Sequence, residues 1–213
     1  MEPLSYQRSD LVSSSLESAQ KRIVREARIA RQHAAERCGL TDFTIVRGYG
    51  LVVVRDAETG RERIRQFRNL VTTAGDQYHA KKVISGVSPA APSAPTLVNG
   101  MKLGTGTATP TKSSTNSALG SYISGSNAAF DATFPQGAAV AGVDTGWQTT
   151  YQTTWAAGTA TNSAITEAVL VNDSGTDATS TSANTYARVT FTAENKTSTE
   201  ILTIIWNNVF LGA

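Results

Sequence analysis

Apolar and polar positions alternate strictly along Trp147–Trp155. Trp147, Thr149, Tyr151, Thr153 and Trp155 fall on one side, and Gln148, Thr150, Gln152 and Thr154 on the other. A period of two is that of a strand with one face buried, and Thr, Tyr and Trp suit a pleated surface. Ile165–Val171 and Tyr186–Ala193 repeat the pattern, with Glu167 as an acid among apolar neighbours. In the last run Ile201, Thr203 and Ile205 share one face, while Leu202, Ile204, Trp206 and Phe210 share the other. A strand apolar on both sides is central in a sheet or held between layers. With polar turn regions between them, these four runs predict a mainly β chain built on an antiparallel β-sandwich, carrying an N-terminal α-helix and a β-hairpin extension.

Ahead of the sheet the period changes. Val12, Leu16, Ala19, Ile23, Ala27, Ala30 and Ala34 recur at spacings of three and four, giving one narrow apolar stripe. Ser9 or Asp10 caps a helix running to about Arg37, and Gly39 stops it. Two readings of this helix stand side by side. Either its stripe docks on the body of the protein and its arginines are solvated, or it is an assembly element meeting a partner helix. Residues 43–71 read as a hairpin turning at Asp56–Gly60, whose second arm carries Arg61, Arg63, Arg65 and Arg68. A short helix capped by Thr72 or Thr73 then runs to Ile84. Pro89, Pro92 and Pro95 make an extended connector. A strand over Leu97–Leu103 follows, and 124–146 reads as irregular. The expected division is an arm and basic helix (1–42), a hairpin plus helix (43–86), a connector (87–96) and the sandwich (97–213).

Charge sharpens this division. Residues 1–82 carry a net +5 and residues 83–213 a net −3, on a chain whose total is +2. The basic helix also holds Asp10, Glu17, Glu26 and Glu36 and interleaves no aromatic side chains, which argues against nucleic acid as a partner. Cys38 is the sole cysteine among 213 residues, so neither an intramolecular disulfide nor a cysteine metal cage is expected. No apolar run has the length of a membrane span, and the first residues lack a secretory pattern, so folding in a cytoplasm is expected.

Candidate chemistry is sparse. His33 and His79 have no second histidine or carboxylate at ligand spacing, and both lie outside the sheet region. Glu167 is one possible glycosidase acid, but a hydrogen bond or ion pair near a sheet edge is its plainer role. Gly104-Thr105-Gly106-Thr107 lacks the Gly-Lys-Ser/Thr of a phosphate loop, and no helix start follows the glycines at 48 and 50. Cys38 reads as a structural thiol. No catalytic, cofactor-binding or metal-ligating residue is assigned, and a non-enzymatic protein is expected. An exposed face bearing Trp147, Tyr151 and Trp155 would instead make a sugar platform.

Four segments in order carry a family resemblance: LGTGTATPTKSSTNSALGS (Leu103–Ser121), YQTTWAAGTATNSAITEAVLVN (Tyr151–Asn172), ARVTF (Ala187–Phe191) and TSTEILTIIWNNVF (Thr197–Phe210). Together they resemble a module of tailed-bacteriophage virion proteins, and Arg55–Val83 is similar to the hairpin and helix often ahead of it. The resemblance spans about 43–213. Gly104, Gly106, Pro110, Glu167, Ala168 and Trp206 match its pattern as structural markers, and the module brings no catalytic residues. It implies a virion structural component, made in the bacterial host cytoplasm and associated with tail, fibre or baseplate. Its partners would be other virion proteins and further copies of itself. A capsid decoration protein and a carbohydrate-binding host-recognition module are the other readings.

Overall fold

In a computed structural model of the chain, the described residues are 6–38, 45–84, 96–113, 115–140 and 146–211. They form α1 (Tyr6–Cys38), β1 (Ile45–Asp56), β2 (Glu62–Val71), α2 (Thr73–Ile84), β3 (Gly100–Gly104), β4 (Ala128–Ala129), β5 (Gln136–Val140), β6 (Gly146–Trp155), β7 (Asn162–Val171), β8 (Thr185–Lys196) and β9 (Glu200–Leu211). The four alternating runs of the last third are β6 to β9. The stretch expected to be irregular contains the short strands β4 and β5. The connector expected at 87–96 lies outside the described residues, apart from Thr96. The helix starts at Tyr6, earlier than Ser9 or Asp10.

All strand pairings are antiparallel, and the nine strands form one sheet in the order β4-β3-β7-β8-β2-β1-β9-β6-β5. Two expectations need correction here. The two stacked layers of a sandwich are replaced by a single curled sheet, a half-barrel. The hairpin is no extension either, because β1 and β2 occupy the middle of the order, between β8 and β9. The physical reason lies in Leu51–Val54, four consecutive buried apolar side chains covered on both faces. The turn itself is as read: Asp56 Oδ1 accepts the Thr59 N–H (2.6 Å) and hydroxyl (2.8 Å), and Gly60 supplies φ 69°.

Curling brings the two ends of the sheet together. The Asp131 N–H donates to the Gln152 carbonyl (2.9 Å), and the Thr154 N–H and hydroxyl donate to the Asp131 carboxylate (2.9 and 2.7 Å). The indole N–H of Trp155 reaches the Ser126 carbonyl at 2.8 Å. The segment after β3 is thereby tied to the C-terminal half of β6. Inside the curl lies the main core, including Val52, Val54, Phe67, Met101, Leu103, Tyr151, Trp155, Leu170, Leu202, Ile204 and Trp206.

Two helices complete the body. On the opposite face of β1 and β9, Ala19 and Ile23 of α1 are buried against Tyr49, Val140 and Val209, with Leu16 and Val24 alongside. The Gln66 amide donates to the Ser15 carbonyl, and Arg68 pairs with Glu26. Of the two readings of the stripe, docking therefore holds for Leu16–Val24. The side chains of Ala27, Ala30 and Ala34 are outside the described residues. Thr72 caps α2 by accepting the Gly75 N–H (3.1 Å), and its hydroxyl donates to the Thr185 carbonyl (2.6 Å), locking α2 against β8.

Candidate functional site

Glu167 lies on β7, an interior strand flanked by β3 and β8, and is fully buried. Its position is therefore not near a sheet edge, although hydrogen bonding and ion pairing are both its role. Oε1 accepts the backbone N–H groups of Gly106 (2.7 Å), Gly120 (3.0 Å) and Ser121 (3.0 Å). Oε2 accepts Nε and Nη2 of Arg188 at 3.0 and 2.7 Å. Arg188, equally buried, donates its Nη1 to the Asn116 carbonyl at 2.6 Å. Every charge here is met by an opposite charge or an oriented dipole, as a buried ion needs to be.

The glycines of the Gly104-Thr105-Gly106 string now have a physical reason. A Cβ on Gly104 or Gly106 would sit 2.4 or 2.5 Å from Glu167 Oε1, so the loop can wrap the carboxylate only without side chains there. This is an anion cradle whose anion belongs to the protein.

A second tie lies beside it. Lys102 on β3, with no exposed surface, donates to the Ala178 carbonyl (2.9 Å) and pairs with Asp173 at 3.1 Å. Asp177 accepts the Tyr122 hydroxyl (2.7 Å) and the Gly125 N–H (2.8 Å), which hold its carboxyl below the usual range. Burial, with Asp177 adding to it, pushes Tyr122 up to about 12. These contacts fasten the loops after β3 and β7 over the outer face of both strands.

His79 falls at the α2 end of the curl, in ring contact with Tyr78, Tyr186 and Phe210, and its Nε2 meets the Tyr186 hydroxyl. Burial lowers its pKa, and the charge of Asp76 opposes this in part. Nearby, Asn69 and Asn208 flank Gly48 on neighbouring strands, and the buried amide atoms of Asn69 have no protein hydrogen-bond partner among the described residues. The side chains of His33 and Cys38 lie outside the described residues. Among the described residues no group of three or more His, Cys, Asp or Glu is placed to hold a metal ion. None of the helices described is long and apolar enough to cross a membrane.

The aromatic face of β6 is divided. Tyr151 and Trp155 are in the core, whereas Trp147 is 56% exposed, so the three do not form a shared platform. The arginines of β2 are engaged within the chain: Arg63 with Glu200 (2.6 Å), Arg65 with Glu194 and Arg68 with Glu26. Arg65 and Arg68 border a groove of about 650 Å³ between β2 and β8, whose ladder is confined to Leu70–Arg188 and Val71–Ala187. Phe67 and Phe191 line it, with Thr107, Thr190 and Thr192. The sequence signalled Glu167 as anomalous but carried no sign of its cradle, which depends on loops distant in the chain. No family model, curated protein or solved structure matches this chain.

Proposed function

We propose that the protein is a non-enzymatic structural component of a tailed-phage particle, associated with tail, fibre attachment or baseplate. The observation that carries this reading is the meeting in space of the residues behind the family resemblance. Gly104, Gly106 and Glu167 form one cradle, Ala168 is paired with Leu103 across the same two strands, and Trp206 lies in the core. A pattern of this kind preserves a shape, and a shape is what an assembly component contributes. The buried charges support the same reading, because Glu167, Arg188 and Lys102 all secure loops.

Gold-labelled antibody against the folded protein, applied to purified particles, tests the reading. Label on tails is the expected result. Label confined to heads would replace it with a capsid decoration role, and particles without label at any position would overturn both.

A further inference from the structure

The two outer edges of the sheet are treated differently. At one end β4 has two residues, and the chain running on from it is tied to β6 through Asp131. This edge is short and covered, as natural edges are when pairing with other chains is to be avoided. At the other end β5 runs for five residues and pairs with β6 on one side, and no described strand lies on its other side. Its residues Gln136, Gly137, Ala138 and Ala139 are exposed, and none is charged. Pro135 stands just before the strand, but neither proline nor lysine interrupts Gln136–Val140 itself, so its backbone N–H and C=O groups are left open to pairing along these five residues.

We infer that β5 pairs antiparallel with β5 of a second copy, centred on Ala138 and joining two sheets edge to edge. Naming a second copy as a partner deepens the function proposed above and rests on it for the setting in which copies meet. Charge selects this occupant. The chain between Lys112 and Arg188 contains no lysine or arginine, and β5 and the paired part of β6 carry no charge of either sign. A charged partner strand would find no complement there, whereas self-pairing places no like charges opposite one another. A two-fold contact uses the same patch twice and must be self-complementary. Side-chain size fits as well. Gly137, Ala139 and Trp147 share one face, with Ala139 directly opposite Trp147 and the indole lying over Gly137. In the centred register Gly137 stands opposite Ala139 of the second copy, so two small residues receive the edge of each exposed indole. A contact of this size is small, so in solution it is concentration-dependent and strengthens when many copies are held together.

The test uses the full chain with Cys38→Ser and one new cysteine, treated with a short bismaleimide, alongside mass measurement in solution. A138C is expected to give covalent dimers, while E58C, in the exposed β1–β2 turn, stays monomeric. A138K is expected to abolish the concentration-dependent rise in mass and to restore acrylamide quenching of Trp147, with an unchanged far-ultraviolet spectrum. Equal cross-linking of A138C and E58C, a mass unaffected by A138K, or a monomer at every concentration would overturn the inference. Oligomers lost instead on changing Leu11 and Ile29, exposed on α1, would assign self-contact to the helix and overturn it too. None of these outcomes alters where the antibody binds on a particle, so the two proposals fail separately.

Discussion

Glu167 Oε2 lies 2.7 Å from Arg188 Nη2, with both side chains wholly buried on neighbouring strands of one sheet. The pair holds down the loop of Gly104–Ser121, which covers the outer face of β7.

Removing one member leaves the other buried and unpaired. Glu167→Gln is expected to destabilise the fold by about 3–5 kcal/mol. Gly106→Ala, which drives a Cβ to 2.5 Å from the same carboxylate, is expected to cost about 1–3 kcal/mol. Replacing both members together, as E167L with R188M, is expected to recover at least half of the loss. Denaturant unfolding measures each variant. If Glu167→Gln unfolded at the wild-type midpoint, the cradle would not hold the loop.

Asn69 occupies the space above Gly48 on the adjacent strand. A Cβ at Gly48 would lie within 1.5 Å of the Asn69 amide, so Gly48→Ala is expected to destabilise by about 1–3 kcal/mol. In an Asn69→Ala background the same change is expected to be nearly neutral, because the obstruction is a side chain and not the backbone. A full penalty in both backgrounds would place the obstruction elsewhere. Gly50 offers the contrast: there a Cβ would meet the Ile205 carbonyl at 2.1 Å, and no side-chain change relieves it.

His79 gives stability a pH dependence. Burial among Tyr78, Tyr186 and Phe210 holds its imidazole below the ordinary value of 6.5. The unfolded chain therefore binds more protons than the folded one as pH falls below that value. The contribution is fully present above about pH 6.5 and is lost as pH falls toward and through the folded pKa. The melting temperature is expected to drop over this window, and His79→Phe to flatten the drop. Parallel profiles for the two proteins would remove His79 from the account.

The elements were legible in the sequence where local chemistry decides them. Alternation marked β6 to β9, Asp56 and Gly60 marked the hairpin turn, and the pair Thr72 and Thr73 marked the start of α2, of which Thr72 is the cap. Strand order was not legible, because it depends on contacts between residues more than a hundred positions apart, such as Val52 with Ile204. One local sign did point to it: Leu51–Val54 is apolar at successive positions, which an exposed hairpin extension does not require. β5 escaped because Gln-Gly-Ala-Ala-Val has neither alternation nor β-branched density. The cradle escaped because its donors to Glu167 are backbone N–H groups, which every sequence possesses. Trp147 was grouped with Tyr151 and Trp155 by periodicity, but it lies at the end of β6 beside the open edge, beyond the core.

Quantitative mass spectrometry of purified phage particles tests the central claim most directly. The account predicts that this polypeptide is present in intact particles, in several copies per particle and in fixed ratio to a known tail protein. Its absence from washed particles, with the chain recovered only from the soluble lysate, would contradict it.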